Sequence, residues 1–311
     1  MGKTAIIFPG QGVQYIGMGK DFFEGFDEAA RIFEKASEVT GLDIKRLCFT
    51  ENEELNKTEY TQISMITTEL AVSRVMSSKG IKPDMCAGLS LGEYAALSQA
   101  NVMDDEDIFR IVRKRGIFMQ NAYPEDGALT AGLGLDAQMT TDICAEVCSR
   151  MQKHVSVANY NCPGQLVITG EKEAVDAAAK DCLSAGAKKC IPLNVSGPFH
   201  SLLLKDASEK LGTELSKVVL SDPQIPYYTN VTAEAVSDKN AIKDLLTKQI
   251  CSPVKWMQSI EKMIADGADT FIEAGPGRSL AGFMKRIDKD VKVYSIGTVE
   301  EMKKYLEVAG C

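Results

Sequence analysis

One serine, Ser90, lies in a sequence context typical of a catalytic nucleophile. It is the centre of GLSLG at 88–92, which matches the G-x-S-x-G pattern. The glycines of this pattern allow a tight turn that lifts a serine clear of a sheet at the start of a helix. A serine that only caps a helix would fit the same five residues. The flanking residues favour the nucleophile, because 85–89 read as a short buried strand and 92–98 as a helix.

A serine hydroxyl needs a neighbouring base, which is most often a histidine, and the chain has only His154 and His200. His154 precedes a predicted strand and has Lys153 beside it, so we expect it to be an exposed surface residue. His200 ends the sequence SGPFH, in which a Gly-Pro turn precedes a helix. Such a turn is a stiff loop that can hold a side chain towards a site. We predict His200 as the base, with a helix-capping role as the alternative.

One arginine lies on the wrong face of a predicted helix. In the helix predicted over 105–121, Arg115 falls in the middle of the apolar face when residues are placed at about 100° per residue. That face is formed by Ile108, Ile111, Val112, Phe118 and Met119. A buried guanidinium needs an anion. The anion could be an internal Asp or Glu, or the carboxylate of a substrate held by two hydrogen bonds, and the helix alone leaves both open.

The elements that must position these residues alternate between strand and helix along most of the chain. This pattern predicts an α/β fold with a mainly parallel sheet covered by helices. A first strand is predicted over 4–8 and helices over 27–38 and 60–78. After residue 200 we predict helices over 201–218, 241–249 and 254–265, and strands over 225–229, 270–273 and 291–295.

Between residues 126 and 193 the predicted order becomes β-α-β-β-α-β. This is the ferredoxin-like arrangement, which can form a self-contained unit. We therefore predict a small ferredoxin-like domain over 126–196, inserted into a large discontinuous α/β domain formed by 1–125 and 197–311.

Composition excludes several classes of protein. The net charge of −8 argues against sequence-independent binding to nucleic acid, and no apolar run is long enough to span a membrane. The first residues read as a strand rather than a secretory signal, so we expect a cytoplasmic protein. The nine cysteines form no CxxC pair, and we expect Cys144 and Cys148 to be packing residues rather than metal ligands.

Five motifs occur together in this chain, beginning at the end of the first predicted strand and ending at residue 277. They are FPGQG at 8–12, GLSLGEY at 88–94, RGIFMQ at 115–120, GPFH at 197–200 and EAGPG at 273–277. With these motifs the chain resembles the malonyl-CoA:acyl carrier protein transacylases. Further matches occur at 61–62, 161–165 and 249–256.

The resemblance implies an α/β-hydrolase-like large domain with a ferredoxin-like insertion. It also implies that Ser90 is the nucleophile and His200 its base. The backbone N–H groups of Gln11 and Leu91 would form the oxyanion hole. The backbone carbonyl of Gln249 would orient His200, so that no acidic third member is needed.

The resemblance further assigns four residues to the substrate. Arg115 would hold the malonyl carboxylate, and Gln62 and Asn161 would contact the substrate. Phe199 matches the malonyl-type form of its motif, in which an aromatic ring leaves little room for an α-methyl branch. Malonyl is therefore expected over methylmalonyl.

Two positions depart from the family pattern. The family usually has His directly before the nucleophile, where this chain has Leu89, and often has Pro where this chain has Ile63. Leu89 removes any polar contact to substrate from its position, but it leaves the predicted base intact.

The activity that the resemblance implies is transfer of malonyl from malonyl-CoA to the phosphopantetheine thiol of acyl carrier protein, through a malonyl-Ser90 intermediate with ping-pong kinetics. No bound cofactor and no metal are expected, and we expect a monomer. Because acyl carrier proteins are generally acidic, a basic patch near the site is expected. Its candidate residues are Lys188, Lys189, Arg278, Lys285 and Arg286.

Several other functions fit some of the same residues. A trans-acting acyltransferase of a polyketide or polyunsaturated fatty acid synthase would share every motif, and a thioesterase would need only water in place of the carrier thiol. A catalytically dead scaffold is disfavoured by the presence of both Ser90 and His200. Nucleotide binding is disfavoured because the dinucleotide fingerprint needs Gly where Tyr15 stands and the phosphate loop needs Lys where Met18 stands.

Overall fold

The backbone forms two separate sheets in the computed structural model, which describes residues 2–123, 127–193 and 197–309. The strands are β1 (Lys3–Phe8), β2 (Met85–Gly88), β3 (Gly127–Leu133), β4 (Val155–Cys162), β5 (Gln165–Glu171), β6 (Lys189–Pro192), β7 (Tyr227–Tyr228), β8 (Ala235–Val236), β9 (Ala268–Ala274) and β10 (Lys292–Ile296).

Helices pack against both sheets. They are α1 (Lys20–Gly25), α2 (Asp27–Thr40), α3 (Ile44–Phe49), α4 (Thr58–Ser78), α5 (Glu93–Gln99), α6 (Asp105–Asn121), α7 (Ala137–Met151), α8 (Lys172–Ser184), α9 (Lys205–Leu215), α10 (Lys239–Gln249), α11 (Trp256–Ala265), α12 (Ser279–Ile287) and α13 (Val299–Ala309). Among the helices of the described ranges, none combines the length and apolar character needed to cross a bilayer.

The larger sheet has six strands in the order β10-β9-β1-β2-β7-β8. All neighbours in it are parallel except the antiparallel pair β7 and β8. Its central strand β1 is buried from Ala5 to Phe8, as expected for a parallel strand covered on both faces. This confirms the predicted α/β class with a mainly parallel sheet.

The position of β1 determines where a site can form. The chain places β2 on one side of β1 and β9 on the other, so the direction of strand addition reverses at this strand. In open α/β sheets, ligands bind beyond the carboxyl ends of the strands at such a reversal. The loop after β1 begins at Pro9, and Ser90 follows β2 at the same edge.

The smaller sheet contains β3 to β6 in the order β4-β5-β3-β6, and all its pairs are antiparallel. With α7 and α8, its elements follow one another as β-α-β-β-α-β, which is the predicted order. A separate apolar cluster lies between α7, α8 and this sheet. Cys144 is buried in that cluster and Cys148 packs against it, as expected of packing residues. The predicted domain boundaries, at 125/126 and 196/197, involve residues outside the described ranges.

Several predicted elements have different limits in the structure. The helix predicted from residue 254 begins at Trp256, because the backbone of Val254 instead exchanges hydrogen bonds with Ala158 and Tyr160 of β4. The strand predicted over 225–229 is reduced to the two residues of β7, next to Pro226, which has no N–H to donate. The helix predicted over 201–218 becomes a 3₁₀ turn followed by α9. No helix was predicted at α12.

Candidate active site

The turn after β2 holds Ser90 in a strained conformation. The φ angle of Ser90 is 53°, in the left-handed region that non-glycine residues rarely adopt. The two glycines of the motif allow this turn to be tight. A Cβ on Gly88 would lie 2.0 Å from the carbonyl carbon of Gly92, and a Cβ on Gly92 would lie 2.4 Å from the carbonyl oxygen of Phe8. The G-x-S-x-G sequence therefore forms a tight, strained strand-to-helix turn of the kind the motif predicts, rather than a simple helix cap.

His200 faces Ser90 and is oriented from behind. Its Nε2 lies 2.7 Å from Ser90 Oγ, and its Nδ1 lies 2.9 Å from the backbone carbonyl oxygen of Gln249. Because a carbonyl oxygen can only accept, Nδ1 carries the proton and Nε2 is free to accept one from the serine. Burial, together with the nearby charge of Arg115, lowers the pKa of His200 to about 4. The imidazole is therefore neutral near pH 7, as a general base must be.

Arg115 is buried on the apolar face of α6, as its helical phase predicted, and its guanidinium reaches the same site. Its Nη1 donates to Gln62 Oε1 at 2.8 Å. Its Nη2 donates to Ser90 Oγ at 3.1 Å and to Gln249 Oε1 at 3.0 Å. All three acceptors are uncharged.

The two interpretations of Arg115 can be separated on this geometry. Within the described ranges, no carboxylate lies at ion-pair distance from the guanidinium, and its buried Nε has no hydrogen-bond partner. The interpretation of Arg115 as part of an internal ion pair is therefore wrong for the described residues. A buried cation with an unused N–H group beside a nucleophile is suited to bind an anionic group of a substrate.

The two predicted oxyanion-hole residues lie on two neighbouring loops. Leu91 follows Ser90 in the turn and is fully buried, and Gln11 lies in the loop after β1. The two loops approach closely, since a Cβ on Gly10 would lie 2.8 Å from the carbonyl oxygen of Leu89. Gln11 and Leu91 both line the cavity that contains Ser90.

That cavity has a volume of about 550 Å³ and lies between the two sheets. The larger part of the molecule contributes Gln62, Phe199 and His200 to its wall, and the smaller sheet contributes Asn159 and Asn161. Asn161 is buried, and its Oδ1 has no hydrogen-bond partner in the described residues. All nine predicted site residues therefore meet at one place: Ser90, His200, Gln11, Leu91, Arg115, Gln62, Phe199 and Asn161 line the cavity, and Gln249 contacts three of them from behind.

Leu89 lines the cavity where the resembled family usually has His. Its side chain packs with the apolar cluster on one side of the larger sheet, and Phe283 of α12 lies in the same cluster. The wall next to the nucleophile is therefore apolar at this position. Any polar contact that a histidine would make here is absent from this chain.

Two further residues beside the turn, Asn230 and Glu93, were not predicted from the sequence. Asn230 accepts a hydrogen bond from the Ser90 N–H at its Oδ1, 2.6 Å away, and its Nδ2 donates to the carbonyl of Gly88 at 2.7 Å. Glu93, the last but one residue of GLSLGEY, is fully buried directly after the turn. Glu93 could have been identified as an acidic residue directly after a predicted buried strand and turn. The only sequence feature that could have indicated Asn230 is its position directly after a predicted strand.

The second histidine is outside this site. His154 is half-buried rather than exposed as expected, and its Nε2 lies 3.3 Å from Ser156 Oγ at the start of β4. Partial burial lowers its pKa, and the charge of Glu171 opposes that shift.

Comparisons with known proteins agree with this geometry. The acyl transferase domain family matches residues 5–306. The malonyl CoA-acyl carrier protein transacylase of Staphylococcus aureus is 42% identical over 309 residues, which is 99% of this chain and 99% of that protein. The crystal structure of malonyl CoA-acyl carrier protein transacylase from Clostridium perfringens has a TM-score of 0.95 and 40% identity, over 99% of this chain and 97% of that one. A malonyl-transacylase in complex with its type II PKS acyl-carrier protein also has a TM-score of 0.95, with 39% identity over 98% of this chain and 99% of that one.

Proposed function

The chain belongs to the malonyl CoA-acyl carrier protein transacylases, acyltransferases that move malonyl from coenzyme A to a carrier protein, and on this premise we propose that the malonyl group passes through Ser90. The observation that carries the proposal is the contact of Ser90 Oγ with both a neutral histidine and a buried arginine. The histidine serves the chemistry of the hydroxyl. The arginine serves the free carboxylate that distinguishes malonyl from acetyl.

In the first half of the cycle, His200 Nε2 takes the Ser90 proton as Oγ attacks the thioester carbonyl. The oxygen of that carbonyl becomes negatively charged in the tetrahedral intermediate and accepts hydrogen bonds from the backbone N–H groups of Gln11 and Leu91. The intermediate collapses, the C–S bond breaks, and the coenzyme A sulfur receives the proton from His200.

In the second half, the phosphopantetheine thiol of acyl carrier protein attacks the malonyl-serine ester. His200 takes the thiol proton and returns it to Ser90 Oγ as the ester bond breaks. Because coenzyme A leaves before the carrier binds, the kinetics should be ping-pong. Every proton and bond is accounted for by these side chains, so we propose that no bound cofactor or metal takes part.

The remaining residues of the cavity would select the acyl group. Gln62 holds Arg115 at one Nη, and the ring of Phe199 lines the same space. We propose that this ring restricts an α-methyl branch and that Asn161, with its unpartnered buried Oδ1, accepts a hydrogen bond from an N–H group of the substrate.

The acyl carrier protein would approach the cavity from the side of α12. Arg286 of α12 is exposed and donates to Gln165, which lines the cavity, and to the carbonyl of Pro163. Lys188, Lys189 and Lys285 are also exposed. Arg278 is the weaker candidate, because it is paired with Glu301. We propose that Arg286, Lys188, Lys189 and Lys285, which have no ion-pair partner within the described part of the chain, form the basic patch for the acidic carrier.

Finer features of the fold and the setting are also proposals. The sheet order β4-β5-β3-β6 supports a ferredoxin-like small domain over 126–196, and the strand-serine-helix turn at a parallel sheet edge supports an α/β-hydrolase-like large domain. We further propose a monomer that acts in the cytoplasm.

A second candidate function is transfer to the carrier protein of a polyketide synthase. The relative in complex with a type II PKS acyl-carrier protein favours it, because that chain is as similar in structure as the Clostridium perfringens enzyme. A thioesterase would use the same Ser90 and His200 with water as the acceptor.

One assay separates these functions. Malonyl-CoA, acetyl-CoA and methylmalonyl-CoA would each be offered with and without a fatty-acid or a polyketide acyl carrier protein in its phosphopantetheinylated form. We expect rapid malonyl transfer to a carrier and little release of free malonate. Hydrolysis that is faster than transfer to either carrier would overturn the proposal in favour of a thioesterase.

A further inference from the structure

A buried carboxyl group, that of Glu93, lies directly beneath the nucleophile turn. Glu93 is the first residue of α5, and its side chain is inaccessible to solvent. Its Oε1 accepts a hydrogen bond from the Tyr227 hydroxyl. Its Oε2 accepts from Gln249 Nε2 at 2.6 Å and from the Asn230 N–H at 3.3 Å. Burial raises the pKa of this carboxyl, and these donors oppose that shift.

The carboxylate determines which way the Gln249 side-chain amide points. A carboxylate can only accept hydrogen bonds, so the amide must turn its Nε2 towards Glu93. The same Nε2 also donates to the backbone carbonyl of Ser90 at 2.9 Å. The amide oxygen is thereby left facing Arg115, whose Nη2 donates to it at 3.0 Å.

The opposite orientation of the amide would place donor against donor. If the Gln249 amide turned over, its NH₂ group would meet the guanidinium of Arg115, and its oxygen would meet the carboxylate of Glu93. Both contacts would be repulsive inside a region from which water is excluded. Glu93 therefore acts on Arg115 through a single amide, without touching it.

Glu93 also supplies negative charge near a buried cation. Burial lowers the pKa of Arg115, and the neighbouring Tyr94 and Glu93 oppose that shift. Because Arg115 has only neutral acceptors in contact, a negative charge one amide away offsets part of the cost of burying the cation, without occupying the N–H groups that a substrate would use.

We propose that Glu93 is a positioning residue for malonyl selection: its carboxylate orients the Gln249 amide, and the amide holds Arg115 beside Ser90 Oγ, ready for the carboxylate of the acyl group. This inference rests on the proposed function. It predicts that Glu93 matters for acyl groups that carry a free carboxylate and matters little for those that do not.

A merely structural role would give a different result. A buried carboxyl that only supports the fold would, when changed, lower thermal stability and reduce reaction with every acyl donor in the same proportion. The informative quantity is therefore the ratio of malonyl transfer to acylation of Ser90 by p-nitrophenyl acetate, an ester without a carboxylate.

The test compares Glu93→Gln with the matched control Glu69→Gln. Glu69 is a second fully buried glutamate, on α4, whose two oxygens have no hydrogen-bond partner in the described residues. In Glu93→Gln we expect the KM for malonyl-CoA to rise about tenfold, the size of effect expected for a hydrogen bond to a charged group. The rate of the p-nitrophenyl acetate burst should change less than about threefold. Glu69→Gln should leave the ratio of the two reactions unchanged.

Two more variants keep the test decisive. Glu93→Asp retains an acceptor-only carboxylate and should recover part of the malonyl-CoA KM. If Glu93→Gln does not fold, Gln249→Met removes the amide while keeping the backbone carbonyl that holds His200, and it should show the same selective loss for malonyl.

Failure of the proposed function and failure of the role of Glu93 give different results. A wild-type protein that transfers no malonyl would overturn the proposed function. A wild-type protein that transfers malonyl, with equal loss of both reactions in Glu93→Gln or no loss of either, would overturn the role of Glu93 alone.

Discussion

Ser90 and His200 are 110 positions apart in the sequence and meet at 2.7 Å, whereas Ser156, in β4, and His154, directly before β4, are two positions apart and lie 3.3 Å from each other. Both histidines of the chain thus contact a serine. The first pair is assembled by tertiary structure. The second is a local contact between residues only two positions apart in the sequence.

The surroundings of the two pairs differ more than their distances. Ser90 and His200 both have positive φ angles, of 53° and 60°, which the surrounding packing must hold in place. The second nitrogen of His200 is oriented by a backbone carbonyl, and both residues line a large cavity. His154 and Ser156 line no part of that cavity.

This comparison shows what a serine nucleophile requires beyond a histidine within reach. It needs a base held in one tautomer, space for the reacting carbonyl, and donors aimed at the oxygen that becomes charged. Ser90 has a candidate for each of these. The half-buried pair of His154 and Ser156 has only the contact.

The largest expected difference between the two pairs is in the rate of malonyl transfer after each histidine is replaced by alanine. His200→Ala should lower kcat for malonyl transfer by about 10³-fold, because the general base is removed. The matched control, His154→Ala, should retain wild-type kcat. Comparable losses in the two variants, measured with malonyl-CoA and carrier protein, would mean that the buried pair is not the catalytic one.

The next effect concerns Arg115, which contacts Ser90 and has no counterpart near the half-buried pair of His154 and Ser156. Arg115→Ala should lower kcat/KM for malonyl-CoA by about 100-fold, because the charge-assisted hydrogen bonds to the carboxylate are lost. Transfer of acetyl should be kept or increased.

Arg113→Ala is a suitable control for that experiment. Arg113 lies on the same helix and pairs with Glu59 at 2.8 Å, but it does not line the cavity. It should leave the preference for malonyl over acetyl unaltered. An Arg115→Ala variant that loses malonyl and acetyl transfer equally would indicate a structural role.

A smaller effect is expected from pH on the rate of Ser90 acylation. The base form of His200 is present above its pKa of about 4, whereas an ordinary histidine loses its neutral form below a pKa of 6.5. The rate of Ser90 acylation should therefore be nearly constant from about pH 6 to pH 8 and fall only as pH drops towards 4. Circular dichroism at each pH would establish that the protein is still folded. A midpoint near 6.5 would contradict the burial of a neutral base.

The smallest effect is expected at Ser156. Ser156→Ala should change kcat/KM by less than about twofold. It should change the free energy of unfolding by less than about 0.5 kcal/mol, the usual range for a substitution away from the core and the site. A larger loss of transfer would show that the small sheet contributes a second reactive hydroxyl.

The sequence was sufficient for those features that local patterns encode. The strand-turn-helix context predicted the turn at Ser90, and the helical phase of 105–121 placed Arg115 on a buried face before any resemblance was used. The β-α-β-β-α-β order followed from periodicity alone. The roles of Gln11, Leu91, Gln62, Phe199, Asn161 and Gln249 came from the resemblance, and their catalytic functions remain predictions.

Contacts between distant segments could not be predicted in this way. Glu93 and Asn230 are 137 positions apart, and Glu93 and Gln249 are 156 apart, so no local pattern relates them. The shift in the start of α11 has the same origin, because Val254 pairs with β4 only after the two parts of the molecule meet. The half-burial of His154 likewise depends on how the small sheet is packed.

The most direct test of the central claim is the covalent state of Ser90. The protein would be mixed with malonyl-CoA in the absence of carrier protein, and its intact mass and peptide masses would be measured. We predict one added malonyl group per chain, located on the peptide that contains Ser90 and absent from Ser90→Ala. Full labelling of Ser90→Ala, or continued transfer by a wild-type protein that never carries malonyl on Ser90, would contradict the account.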